Sequence, residues 1–353
     1  MTIKELSYSA QQHLRELSGK PFKRSHVCEL LAASFGFKSY AAFGAGAVFT
    51  RWRPDEGHTS ANGDGIRQRC LELGYSKEVA DLAASALPTF LKGLRIGVAK
   101  ISDLVENPDD WNDPDGEGFE PIIVEGLVAA ASRGHASAHY ALAWHYERNE
   151  ADSDTQVDNP YWRSQAEQGR VLTGVEKVWA EAYAKRVDAH KEYVHHLREA
   201  ARLGNSRALL DLANQFDDPA FFEQSHKDVE ADPSAVAEIA ERLGRNGDAR
   251  RWLTVAAEAC DIDAMRQLIE VYDRHDPLQC WTWVYLAQLL GTDLLKDDYF
   301  AIDEDGSPYD DDVGGPAYVD GRAGRKLDAL NVDDDSAARH AAEAMFQRSQ
   351  LLR

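Results

Sequence analysis

The chain is predicted to be all-α: an α-solenoid of paired helices behind a small N-terminal helical module. Three observations predict it. A glycine turn flanked by small residues recurs along the middle of the chain, first in LVAAASRGHASAHYALAWHY, residues 127–146. On both sides of that turn, large apolar residues and alanines fall at helical spacing, so one helix ends and a second packs back on it. A hydrophobic fraction of 44% over 353 residues fits a folded chain too long for one compact core.

Charge sets the expected boundaries. The formal net charge is −21, and such a surface repels nucleic acid and anionic lipid. Residues 1–53 run against it, with eight basic and three acidic side chains; this +5 leaves −26 for the remainder. The asymmetry marks residues 1–53 as a basic N-terminal helical module. Within it, residues 4–17 read as a helix. Pro21 opens a second helix, where its missing N–H costs little, and Gly36 ends it. Ser39 is placed to cap a short third helix from Tyr40 to about Ala47.

Residues 54–118 read as linker and additional helices. PDEGHTSANGDG (54–65) and NPDDWNDPDGEG (107–118) are loops by composition. Between them Ile66 to Leu73 is one helix, stopped by Gly74. Ser76 caps the next, which Pro88 interrupts.

The repeat region is 119–295. Its turn residues are Gly134, Gly169, Gly204, Cys260 and Gly291, the first three spaced by 35 residues and the later ones by 56 and 31. Seven residues before each turn stand Leu127, Trp162, Leu197, Leu253 and Val284. Four before stand Ala130, Gln165, Ala200, Ala256 and Ala287, and three before stand Ala131, Ala166, Ala201, Ala257 and Gln288. After the turn the second helix carries Ala138 and Leu142, Ala208 and Leu212, Ala264 and Leu268, with Tyr146, Phe216 and Tyr272 one turn on. Glycine at the turn suits a left-handed helix cap; Cys260 departs from this, and a different turn is expected there. The unit at Gly169 matches only in its first helix, because Thr173, Lys177 and Glu181 occupy the places of the alanine, leucine and aromatic. A further helix pair fits between Gly204 and Cys260, with residues 235–243 as its recognisable part.

The A-A-x-x-G turn followed by A-x-x-x-L resembles the Sel-one-like repeats, relatives of the tetratricopeptide repeats. The residues that carry the resemblance are Ala130, Ala131, Gly134, Ala138 and Leu142, Ala166 and Gly169, and Ala200, Ala201, Gly204, Ala208 and Leu212. Ala256, Ala257, Cys260, Ala264 and Leu268 form a degenerate copy. The resemblance implies a right-handed superhelix of antiparallel helix pairs that serves protein–protein interaction without catalysis of its own.

Residues 296–334 are expected to be an acidic loop or hairpin inserted after the repeats, with thirteen acidic and three basic residues across 297–335. Residues 335–353 read as a helix that caps the open end of the stack.

Few residues point to chemistry. His135 and His139 share the four-residue spacing of a divalent-metal pair, but no glutamate completes HExxH and no third ligand is evident. Ordinary polar packing is expected, and no metal site is assigned. His195 and His196 are adjacent and should point apart on a helix. Asp310, Asp311 and Asp312 offer oxygen ligands to a cation or charge to a basic partner, without the spacing of a calcium loop. Gly44 and Gly46 form a lone GxG without a preceding strand, which carries no dinucleotide site. The four cysteines form no CxxC pair, so a reducing cytoplasm is expected. No signal core or membrane span is read, and no catalytic residue or cofactor is expected.

The N-terminal stretch around Lys23, Arg24 and Lys38 resembles short helical segments with an L-A-x-x-x-G-[FY]-x-[ST]-[WY] core from assorted bacterial proteins. Two uses are open to it. It could dock through Phe35, Phe37, Tyr40 and Phe43, or place a second helix against DNA with those three bases on phosphates. The leading functional expectation is a bacterial, cytoplasmic scaffold or adaptor that binds another protein. Its rivals are a nucleic-acid-linked regulator and an enzyme of unrecognised class.

Overall fold

The structure is a computed structural model that describes residues 1–51, 61–111, 118–151, 160–224, 229–309 and 316–351. It is mostly helical, with a few short strands. Residues 54–60 and 112–117 of the two expected loops, and the acidic residues Asp310, Asp311 and Asp312, lie outside the described residues. The chain divides into two compact units, Met1–Leu212 and Ala213–Arg353.

The first unit opens with α1 (Ile3–Ser18), fixed by a capping box. The Glu5 N–H donates to Thr2 Oγ1 at 3.2 Å, and the Thr2 N–H donates to Glu5 Oε2 at 2.8 Å. Next come α2 (Arg24–Ser34) and the single turn α3 (Tyr40–Phe43), whose start is capped by the Ser39 hydroxyl. Pro21 stands ahead of α2 rather than in its first turn. The backbone then extends as β1 (Ala47–Arg51), not as a continued helix.

β1 pairs antiparallel with β2 (Ile96–Lys100), Ala47 facing Lys100 and Arg51 facing Ile96. Between them lie α4 (Gly63–Glu72) and α5 (Lys77–Gly93). Helix α5 runs through Pro88 instead of breaking there. Ala83 and Leu87 before it and Leu91 after it are all buried, and that packing outweighs the hydrogen bond the proline cannot give. One core joins Leu6, Leu14, Leu30 and Leu31 with Phe49, Ile66, Leu87, Ile101, Leu127 and Leu142. The boundary expected at residue 53 therefore falls inside a shared core, because β1 is completed by a strand from beyond it. In the middle of α7 (Pro121–Ala131), the chain crosses β1 closely. A Cβ added to Gly126 would stand 2.7 Å from Val48 Cγ1.

The remaining helices that begin in this unit are α6 (Ile101–Glu106), α8 (Ala136–Ala151), α9 (Tyr161–Glu167), α10 (Val175–Arg202) and α11 (Ser206–Phe216). Helix α10 packs on α8, and α7 packs on α8. The Tyr140 hydroxyl on α8 donates to Asp211 Oδ2 on α11 at 2.8 Å.

The second unit contains α12 (Ala220–Glu223), α13 (Pro233–Arg242) and α14 (Asn246–Glu258). They are followed by α15 (Ile262–Gln267), a π-helical turn over Leu268–Tyr272, and α16 (Pro277–Leu289). Its acidic insert forms the hairpin β3 (Asp298–Ile302) and β4 (Tyr318–Arg322), with Asp298 facing Arg322. The last helix, α17 (Val332–Leu351), packs on α16 and buries Ala338 and Ala342. Asp273 anchors this unit's core. It is buried and accepts from Trp283 Nε1 at 2.9 Å and Arg250 Nη2 at 2.7 Å.

One turn recurs through both units. Gly134, Gly169, Gly204, Cys260 and Gly291 all have left-handed backbones, with φ of 83°, 92°, 90°, 75° and 93°. Each donates its N–H to the carbonyl three residues back, and the following N–H reaches five residues back. At Gly204 these bonds go to Ala201 and Ala200, at 2.9 and 3.0 Å. This pair of bonds is the Schellman cap. Cys260 makes the same turn rather than a different one, its bonds going to Ala257 and Ala256. Gly244, with φ of 69°, adds a further copy after α13.

Candidate interaction surface

At three of these turns the residue after the turn also caps the next helix; at Gly244 it does not, since Arg245 makes no side-chain cap and α14 still begins at once. The Ala138 N–H donates to His135 Nδ1 at 3.2 Å, the Ala208 N–H to Asn205 Oδ1 at 2.9 Å, and the Ala264 N–H to Asp261 Oδ1 at 3.1 Å. His135, Asn205 and Asp261 thus close one helix with their N–H and start the next with their side chain. The second helix begins at once, and its alanine and leucine are buried: Ala138 with Leu142, Ala208 with Leu212, Ala264 with Leu268. These residues build cores and present nothing to a partner.

Gly169 is different. Arg170 follows it, and arginine has no acceptor to cap a helix. Its guanidinium instead lies 5.0 Å from the Trp162 ring centroid and pairs with Glu176 at 2.6 Å. No helix resumes until Gly174, whose φ of 54° turns the chain into α10. Helix α10 then runs 28 residues without a break, about 42 Å. The second helix of the Gly169 unit and the first helix of the Gly204 unit are thus one helix.

Only the C-terminal half of α10 carries fully buried residues, while its N-terminal half is partly covered by α9. The buried residues of α10 are Ala189, Tyr193, His196, Leu197, Ala200 and Ala201. Its N-terminal half presents Val175, Val178 (61% exposed) and Trp179 (41% exposed) to the surface, and Val171 just before it is 85% exposed. Val175, Val178, Trp179 and Ala182 follow the i, i+3, i+4, i+7 spacing of one helix face. Tyr161 is also exposed at the start of α9, and the Trp162 ring lies 6.5 Å from that of Trp179. A contiguous apolar strip of this kind is normally covered.

Where α10 does pack, it brings together histidines that the sequence held apart. His139 on α8 and His196 on α10 are both buried, and their Nδ1 atoms lie 2.8 Å apart. His139 Nε2 faces the Ala131 carbonyl at 3.1 Å and must donate to it. His139 Nδ1 is therefore an acceptor, and His196 Nδ1 carries the proton between them. Tyr146 stacks on His196 with ring centroids 5.6 Å apart. Burial, reinforced by His139 and His195, pushes the His196 pKa down to about 4, and burial lowers that of His139 as well. This pair is a neutral, hydrogen-bonded pin between two helices. Among the described residues no group of three or more His, Cys, Asp or Glu side chains is placed to hold a metal ion.

The basic residues of the N-terminal segment stand elsewhere. Lys23, Arg24 and Lys38 are exposed, and the Lys38 carbonyl accepts from Arg69. The helix that would enter a DNA groove is the four-residue α3, whose Phe43 is buried against Phe49 at 4.3 Å. Its exposed residues, Ala41 and Ala42, carry nothing that reads a base edge. Phe35 is buried in the same core, with Phe37 and Tyr40 packed on it. Among the described residues no helix is long and apolar enough to cross a membrane. No protein-family model, no curated protein and no solved structure matches this chain.

Proposed function

We propose that this chain is a non-catalytic adaptor that recognises another protein through the open face of α9 and α10. In this reading the helices form right-handed, antiparallel pairs of Sel-one-like type, and the Gly169 unit is the one whose pairing has been given up. The recurrence of one Schellman cap, with buried alanine and leucine at fixed offsets after it, supports the repeat reading. The observation that carries recognition is the uncovered strip Val171, Val175, Val178 and Trp179. A long helix with one bare apolar face is suited to a partner that brings a complementary apolar helix or strip.

Affinity capture of the tagged chain from cells that naturally make it tests this. The wild type should retain a partner that the double variant Val178→Glu, Trp179→Glu loses, with circular dichroism unchanged. Equal recovery of the same proteins by both forms would count against this surface.

A further inference from the structure

The second unit holds a cationic site that its own residues do not satisfy. Arg266 stands on the last turn of α15, directly before the π-helical turn Leu268–Tyr272. It is only 7% exposed. Its Nε and Nη1 atoms are buried and meet no acceptor. A guanidinium cannot escape burial by losing its proton, so a buried arginine is ordinarily paired.

Arg325, on the segment between β4 and α17, meets the same π-helical turn at Glu270, four residues beyond Arg266. Arg325 pairs with Glu270 through Nη2, yet its own Nε is also buried without an acceptor. Burial and the charge of Arg266 hold the Arg325 pKa below the usual arginine range. Other carboxylates of these elements are engaged. Asp263 pairs with Arg322, Glu241 accepts from Gln267 Nε2 at 2.7 Å and Tyr272 at 2.5 Å, and Asp273 is held by Arg250 and Trp283. Three buried nitrogen atoms on two guanidiniums therefore lack an acceptor, in a chain whose net charge is −21. Interrupted helices of the π type are often found where a site is built.

We propose that Arg266 and Arg325 form a binding site for an oxyanion, a phosphate or carboxylate group held between the two guanidiniums. Both groups match the donor geometry of arginine. The site is independent of the α10 surface and lies in the other unit.

Thermal unfolding and titration calorimetry of the full chain test it, with sodium phosphate, sodium acetate and sodium chloride at matched ionic strength. Phosphate or acetate should raise the melting temperature beyond chloride, and the anion that does so names the group. Arg325→Gln should weaken binding of that anion by about tenfold or more. Arg266→Met should abolish the anion-dependent rise while melting higher than the wild type without the anion, since it removes an unpaired buried charge. If neither anion shifts the wild type beyond chloride, the proposal fails. It fails equally if the shift persists undiminished in Arg325→Gln, the variant that reports even where Arg266→Met does not fold.

Discussion

The turns at Gly134 and Gly169 have the same backbone and opposite consequences. Both close a helix with a Schellman cap, at φ of 83° and 92°. After Gly134, His135 caps α8 at once, and Ala138 and Leu142 are buried. After Gly169, Arg170 offers no cap, the chain continues to Gly174, and the helix that follows leaves an apolar face of its first half exposed. Ending a helix and starting the next are thus separate instructions. The first is written in glycine and small residues; a capping side chain assists the second without being required for it, since α14 begins directly after Arg245, which caps nothing with its side chain.

The contrast predicts very unequal costs for similar truncations. Leu142→Ala should destabilise the first unit by about 3 kcal/mol, because it opens a cavity in a closed core. Trp179→Ala should stay within about 0.5 kcal/mol, because the ring is partly exposed and supports little. Urea unfolding followed by circular dichroism measures both. A large loss from Trp179→Ala would mean that the strip is structural.

The histidine pin gives the next largest effect, and its sign is fixed by geometry. His139 and His196 are neutral when folded, with His196 down to about 4. Between that value and the ordinary histidine range the unfolded chain binds more protons than the folded one. The pair's contribution is therefore complete above about pH 6.5 and is lost as pH falls toward 4, by up to about 3 kcal/mol. The double variant His139→Leu, His196→Leu should flatten this part of the stability–pH curve. An unchanged acid limb in the variant would place the titrating groups elsewhere.

Smaller effects separate the two halves of the turn. Gly204→Ala should cost about 1 kcal/mol through its left-handed backbone, and Cys260→Gly should give a gain of similar size or less. Arg170→Asp should add helix to the segment after Gly169, worth a few tenths to about 1 kcal/mol, because aspartate supplies the missing cap. Amide chemical shifts of residues 171–175 report this directly. No change there would show that the following residue does not influence where the second helix starts.

The turns were legible because their signal is local: a glycine, two small residues before it, an alanine and leucine after it. Cys260 shows the limit of that reading, since its backbone takes the left-handed form although the residue disfavours it. The strand pair was not legible. AVFTR and IGVAK are short apolar runs whose pairing joins residues more than 40 positions apart, and only the folded core selects it. Helix α10 left a readable trace, since no glycine or proline stands between Val175 and Arg202. The repeat period, carried forward from Gly134, obscured it. The contact of His139 with His196 and the isolation of Arg266 depend on packing between helices, which no local spacing records.

The claim that the bare face of α10 is a recognition surface is tested most directly by amide hydrogen exchange of residues 175–188, in the free chain and in its purified complex. The account predicts that these amides exchange at least about tenfold more slowly in the complex, while residues 193–201, already packed, change little. Unchanged exchange across 175–188 in a stable complex would contradict it.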